Sequence, residues 1–122
     1  MGKWVAAEVL DLALGAIAQS TRMVALAAAP AGYGDALSGR LAEAAMSPDD
    51  FVIGAGAGSG RKVDIAAKGG LAVTAAGTAS HVALLDTAAA KLLYVTTCPP
   101  QALVAGAEVR FDGWSVEIAA PL

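Results

Sequence analysis

The sequence contains few aromatic residues, little charge and one cysteine, and each shortage excludes a class of function. Aromatic residues make up 5% and charged residues 16% of the 122 residues, and the formal net charge is −3. A nucleic-acid-binding surface needs clustered Lys and Arg, so this charge argues against a nucleic-acid partner. The single cysteine, Cys98, excludes an internal disulfide and a cysteine-based zinc site.

Long uninterrupted apolar runs are also missing from the sequence. Lys3 followed by apolar residues resembles the start of a signal peptide, but Glu8 and Asp11 interrupt the run. No stretch reaches the roughly 20 residues that a membrane-spanning helix needs. We therefore expect no membrane partner and no targeting segment.

Hydrophobic residues are abundant, at 57%, and alanine is the most frequent of them. The length predicts a single domain over residues 1–122. Alanine buries little apolar area per side chain, so the core gains little from the roughly 25 cal/mol per Å² of buried surface. We therefore expect a homo-oligomer, in which neighbouring subunits add stability. A GC-rich genome would also explain the abundance of alanine and glycine.

The apolar patterns predict a mostly β protein of the α+β type. A helix is expected at about residues 3–19, where a narrow polar stripe leaves a wide apolar arc. Such an arc suits a helix that lies across a sheet, or between a sheet and a neighbouring subunit. The rest, about residues 21–120, predicts an antiparallel β-sandwich or barrel-like domain on which the helix packs.

Several short segments predict the individual strands and turns. Residues 22–28 read as a central strand, 51–53 as a short strand, and 36–46 as either a helix or an edge strand. Gly69 and Gly70 predict a two-residue turn that joins strands 61–67 and 71–75 into a hairpin.

Further along the chain, strands at 80–85 and 92–97 flank a loop at 86–90, and Pro99-Pro100 predicts a break. Trp4, Tyr94 and Trp114 all lie in core-like patterns. Asp112-Gly113 indicates either a tight turn or a bulge.

Residues 54–60 form a glycine-rich segment that resembles a phosphate-binding loop. The resemblance fails because Gly60 is followed by Arg61-Lys62-Val63 instead of Lys-Ser/Thr, and because the next residues are strand-like. We interpret the segment as a flexible linker or a long hairpin loop.

The residues with chemical potential do not form a recognisable constellation. His81 is the only histidine, and no sequence pattern supplies the nucleophile or orienting acid that a general base needs. Asp49, Asp50 and Asp112 lack the spacing of a calcium loop. We expect no catalytic, cofactor-binding or metal-binding residues, and therefore no enzyme.

The segments 79–97 (ASHVALLDTAAAKLLYVTT), 101–111 (QALVAGAEVRF) and 114–119 (WSVEIA), with 9–36 before them, resemble small virion proteins of tailed bacteriophages of the head-fibre or decoration type. The resemblance implies a structural protein on the exterior of a phage capsid, or on a phage-like gene-transfer particle, as a decoration or fibre-base subunit. Its partners would be the major capsid protein or other virion proteins, and its location the virion. The alternative is a tail-fibre-type receptor- or carbohydrate-binding module.

A subunit of this kind works through contact surfaces. The expected contact residues are a loop tyrosine between glycines, the glycines of the glycine-rich segment and the two basic residues that follow it: Tyr33, Gly54, Gly56, Gly58, Gly60, Arg61 and Lys62. Tyr33 folding back onto its own domain is an equal alternative, and solvation is the alternative for Arg61 and Lys62.

Overall fold

The computed structural model describes residues 3–120, and it is mostly β, with antiparallel sheets packed together and one main helix near the N-terminus. The predicted fold class is therefore confirmed. The elements in chain order are α1 (Ala7–Ile17), β1 (Arg22–Leu26), α2 (Tyr33–Ser38), β2 (Ala42–Ala45), a 3₁₀ turn (Pro48–Asp50), β3 (Phe51–Ala55), β4 (Arg61–Ile65), β5 (Lys68–Ala72), β6 (Gly77–Asp86), β7 (Lys91–Leu103), β8 (Glu108–Phe111) and β9 (Trp114–Ile118).

One layer is a four-stranded sheet in the order β2-β1-β6-β7, with every neighbouring pair antiparallel. The buried residues of β1 agree with its predicted central position. The hairpin of β6 and β7 confirms the loop predicted at residues 86–90. Its ladder is interrupted where Ser80 faces the three residues Cys98, Pro99 and Pro100. The strand continues through both prolines, so the predicted break is wrong, and the three-residue bulge accommodates them.

The other layer consists of a three-stranded sheet, β3-β4-β9, and a two-stranded sheet, β5-β8. Helix α1 packs chiefly against β4. Its fully buried Leu14 belongs to the main apolar core, together with Phe51 of β3 and Val63 of β4. Helix α2 covers the opposite face of the four-stranded sheet, where Ala36 packs in a second cluster with Leu85.

The predicted hairpin around Gly69-Gly70 is wrong. Strand β4 pairs with β3 and β9, whereas β5 pairs with β8. Gly69 and Gly70 lie inside β5, at a shift in register between Lys68 and Leu71. Gly70 has φ +66°, a conformation that glycine adopts easily, and it bends the strand instead of reversing it.

Other local expectations also need correction. The first helix is shorter than the predicted 3–19, since it spans Ala7–Ile17. Tyr33 begins α2 and does not lie in a loop. The ambiguous stretch 36–46 contains both the end of α2 and the strand β2. Asp112-Gly113 does not reverse the chain, since Phe111 pairs with Lys68 and Trp114 with Ile65, so the predicted tight turn is wrong. The strand is instead re-aimed from the two-stranded into the three-stranded sheet, as the other alternative expected, but without the extra residue of a bulge.

Candidate protein interface

Helix α1 presents an apolar face to solvent as well as to the core. Val9 and Leu12 are 52% and 77% exposed, and Ala13 and Ala16 are exposed beside them. These four residues follow the i, i+3, i+4, i+7 spacing that defines one side of a helix. We call them the α1 stripe. Apolar helix faces of this kind are normally buried, so the α1 stripe is a candidate contact surface.

Trp4 adds a large aromatic ring beside the helix. It precedes α1 and is 84% exposed. Its predicted place in the core is therefore wrong. Trp4 also borders a depression of about 220 Å³, whose other wall is formed by Gly60 and Arg61. Two of the predicted contact residues thus lie beside the most exposed aromatic ring of residues 3–120.

Arg61 is held by the helix. Its Nε donates to Oδ1 of Asp11 at 2.8 Å, and its Nη2 donates to Oδ2 at 3.3 Å. The hydrogen bonding of Arg61 to the Asp11 carboxylate, which accepts, is the main cause that raises the pKa of the Arg61 guanidinium. Two parallel bonds fix the guanidinium plane and tie α1 to β4. Arg61 therefore acts within the chain as an anchor for the helix that carries the α1 stripe.

Lys62 lies on the other face of β4. Its ammonium is 3.4 Å from the Asp64 carboxylate, and β4 places Lys62 and Asp64 opposite to the buried Val63. Consequently, Arg61 and Lys62, the two basic residues expected at contacts, point to opposite sides of the sheet.

The glycine-rich segment forms the connection of the β3–β4 hairpin, with Gly54 inside β3. The N–H of Gly56 donates to the Gly60 carbonyl at 3.0 Å, and the N–H of Ala57 donates to Oε1 of Glu117 at 2.7 Å. Gly60 has φ +68°. Gly58 has open space around it. Of the two predicted alternatives, a flexible linker and a long hairpin loop, the structure shows the hairpin loop, and hydrogen bonds hold it at Gly56 and Ala57.

Tyr33 lies far from this surface in the fold. It is half-buried and packs with Leu37 against the second apolar cluster, which contains Val24 and Leu85. Of the two alternatives, an interface contact and a contact with its own domain, Tyr33 therefore makes the second.

A second concave site lies between the two layers. This cleft has a volume of about 540 Å³, within the range of small-molecule sites. One side includes Ala25, Ala79 and Thr96 from the four-stranded sheet, and the other includes Phe111 and Trp114. Because the side chains of Ala25 and Ala79 are small, they leave the space between the two layers incompletely filled.

The rim of the cleft carries polar groups and the single thiol. Cys98 is half-buried, and burial raises the pKa of its thiol. Gln101 is exposed, and its amide makes a long 3.5 Å contact with the Ala102 carbonyl. The ring of Trp114 lies 5.9 Å from that of Tyr94, at an interplanar angle of 32°.

His81 contacts a serine hydroxyl, but not in the arrangement of a catalytic pair. Ser80 Oγ is 2.8 Å from His81 Nδ1 and donates to the Ala27 carbonyl at 2.9 Å. The hydroxyl has a single proton, which the Ala27 carbonyl accepts, so His81 Nδ1 must donate to Ser80 Oγ. In this arrangement the imidazole donates to its neighbour in the chain and does not act as the base that deprotonates Ser80.

Two further findings concern residues 3–120. Within them, no three His, Cys, Asp or Glu side chains are grouped closely enough to hold a metal ion. No helix in the described part of the chain combines the length and apolarity needed to cross a bilayer.

The sequence interpretation did not identify Trp4, Val9 and Leu12 as exposed apolar residues. The signal was present, since the apolar arc of the first helix is wider than one buried face requires. Sequence periodicity identifies such an arc, but it does not show which part of it faces the core.

The chain was compared with models of protein families, with curated proteins and with solved structures, and none of the three comparisons gives a match.

Proposed function

We propose that this protein is a non-enzymatic structural protein of a virus particle, bound to the exterior of a tailed-phage capsid as a decoration or fibre-base subunit. The observation that carries the proposal is the exposed apolar surface of the α1 stripe and Trp4. A surface of this kind gains free energy when another protein covers it. With roughly 400 Å² of apolar area at about 25 cal/mol per Å², the gross gain is on the order of 10 kcal/mol before the costs of association.

The sequence resemblance gives the proposal its biological setting. The segments that resemble virion proteins include α1 and the β6–β7 hairpin, which together carry the exposed helix face and much of the four-stranded sheet. The partners are then the major capsid protein or other virion proteins, and the location is the virion.

The proposal is tested on purified particles. Heads and tails are separated on a density gradient, and this chain is quantified in each fraction by mass spectrometry. Many copies on heads, comparable to the number of capsomer positions, support decoration. Absence from both fractions overturns the proposal.

A second candidate function, a receptor- or carbohydrate-binding module, is favoured by the cleft between the layers. A sugar ring has a C–H face that stacks on an aromatic ring, and hydroxyls that bond to planar polar side chains. Trp114, Gln101, Arg110 and Asp112 line the cleft and offer both kinds of contact.

The test of this second candidate is binding of the isolated chain to a glycan array. A signal that Gln101→Ala reduces, and that Gln19→Ala in the exposed turn after the first helix leaves unchanged, supports the module. A handful of copies confined to tails would agree with it. An array without signal rejects it.

A further inference from the structure

We propose that the cleft between the two layers binds a neutral, N-acetylated saccharide, and that the acetamido group of the sugar is the part the cleft selects. The inference rests on the second candidate function, the carbohydrate-binding module, and adds the class of sugar that the module takes. It involves neither Trp4 nor any residue of α1, so it is independent of the surface proposed to contact the capsid.

The deep part of the cleft is apolar. Ala25, Ala79, Leu103 and Phe111 line it, and all four are buried. An unsubstituted sugar carries hydroxyls around its ring, and a hydroxyl that leaves water without finding a partner weakens binding. A methyl group gains free energy from the same contact. The cleft therefore favours a sugar that carries a small apolar substituent.

An amide group lies directly beside this apolar wall. Ala79 of β6 and Gln101 of β7 are opposite each other in the antiparallel ladder, and both line the cleft. The Cβ atoms of such a pair are about 5 Å apart on the same face of the sheet. A methyl group bonded to an amide has its apolar and polar parts at a similar spacing, so an acetamido group matches the pair.

The amide of Gln101 is available to a ligand. Its only side-chain hydrogen bond within residues 3–120 is the long 3.5 Å contact from Nε2 to the Ala102 carbonyl. A primary amide accepts at its oxygen and donates from its nitrogen. Gln101 would therefore accept from the acetamido N–H and donate to the acetamido carbonyl, which satisfies both polar atoms of the ligand group.

The opposite wall provides a surface for the sugar ring. Trp114 is half-buried there, and its ring packs against that of Tyr94 at a centroid distance of 5.9 Å. A sugar whose C–H face stacks on Trp114 would direct its acetamido group across the cleft to Ala79 and Gln101. The volume of about 540 Å³ is sufficient for a ligand the size of a disaccharide.

The charges at the rim favour a neutral ligand. Arg110 and Asp112 are the only charged residues of the described chain that line the cleft. They pair with each other, since Arg110 Nε donates to Asp112 Oδ1 at 3.2 Å. The rim therefore offers no net charge to a sugar acid or to an amino sugar, whereas an acetylated amine needs no counter-charge.

The first experiment compares three disaccharides that share ring type and linkage but differ in one substituent. These are N,N′-diacetylchitobiose with acetamido groups, chitobiose with free amines, and cellobiose with hydroxyls. The chain has two tryptophans, so Trp114 alone reports binding by fluorescence in the full chain carrying Trp4→Phe. We expect the acetylated sugar to bind about tenfold more tightly than either of the others, because it adds a buried methyl and amide hydrogen bonds.

Saturation-transfer NMR on the wild-type chain locates the selected group. The acetyl methyl protons of diacetylchitobiose should receive more saturation than the ring protons, because the methyl lies against the apolar wall. Ala79→Leu should abolish the preference for the acetylated sugar by filling that space. Ala88→Leu, in the exposed turn between β6 and β7, is the matched control and should leave the preference unchanged. Circular dichroism checks that both variants fold, and the comparison of ligands on the unsubstituted cleft needs neither variant.

The outcomes separate the inference from the function on which it rests. Equal affinity for cellobiose and diacetylchitobiose overturns the selection of the acetamido group and leaves the carbohydrate-binding module. Stronger saturation of the ring protons than of the methyl, or a preference that a folded Ala79→Leu retains, overturns it in the same way. If none of the three disaccharides binds and the glycan array gives no signal, the module itself is rejected, and the inference with it.

Discussion

Arg61 and Asp11, 50 positions apart in the sequence, form a two-bond ion pair that joins the start of β4 to the middle of α1. The side chains are 27% and 33% exposed, so water reaches the pair only in part. Together with the fully buried Leu14, the pair fixes the rotation of α1 on the sheet and so sets which residues of the helix face solvent.

Removing one charge of this pair should loosen the helix without unfolding the sheets. We expect Asp11→Asn to lower the midpoint of thermal unfolding by a few degrees and to speed hydrogen exchange of the α1 amides more than that of β6 and β7. Glu8→Gln, on an exposed side chain of the same helix, is the control. Equal effects of the two substitutions would mean that the ion pair does not hold the helix.

The β3–β4 turn should tolerate alanine at one glycine and reject it at another. Gly60 has φ +68°, and a Cβ added there would overlap the Ile118 carbonyl oxygen, whereas a Cβ at Gly58 meets open space. We expect Gly60→Ala to lower the free energy of unfolding by about 2 kcal/mol or more. Gly58→Ala should change it by less than about 0.5 kcal/mol. Urea denaturation measures both, and equal stabilities of the two variants would contradict the turn geometry.

Asp50 should make stability depend on pH in the acid range. Burial alone would raise the pKa of its carboxyl, but hydrogen bonds from Ser47 and the nearby Lys68 ammonium outweigh burial and hold the pKa below its ordinary value of 3.8. The Ser47 N–H donates to the carboxylate at 2.8 Å, and Lys68 Nζ lies 2.9 Å from it. Because the pKa is lower in the folded state, the carboxylate stabilises the fold above the unfolded pKa, and this contribution is lost as the pH falls through the folded pKa.

We therefore expect Asp50→Asn to cost about 1 kcal/mol at pH 7. The difference between wild type and variant should shrink below pH 4, where the wild-type carboxyl also becomes neutral. Chemical denaturation at a series of pH values measures it. Asp49→Asn, on the exposed neighbour, should show no such trend, and a constant difference down to pH 2 would contradict the role of Asp50.

Cys98 should react slowly with thiol reagents. Burial raises the pKa of its thiol, so less of the reactive thiolate is present near neutral pH. We expect modification by a chromogenic disulfide reagent at pH 7.5 to be several-fold slower in the native protein than in denaturant, and to vanish in Cys98→Ser. Equal rates in the native and unfolded states would show that the thiol is freely accessible.

The sequence predicted best those elements whose partners are close along the chain. The β6–β7 hairpin was predicted because the two strands flank their own loop at residues 86–90. The turn at Gly69-Gly70 was predicted by the same rule and is wrong, because β4 and β5 pair with strands that are distant in sequence. A local turn signal does not reveal that distant partners compete for both strands.

Only some residues of the candidate interface could be predicted from the sequence. Gly60 and Arg61 border the depression beside Trp4, but Lys62 points to the opposite side of β4 because side chains alternate along a strand. The expectation that Trp4 lies in the core comes from apolar periodicity, which identifies side chains that favour burial. Periodicity does not show whether the same chain or another protein buries them.

The two prolines in β7 affect how this protein behaves at high concentration. Strand β7 lies at the edge of the four-stranded sheet, and an edge is where a second chain can add a strand and begin a fibrillar aggregate. Pro99 and Pro100 have no N–H to donate, so such a ladder would be interrupted in the middle of the strand. Pairing of two chains through β7 is therefore disfavoured, and any association along this edge is left to side-chain contacts.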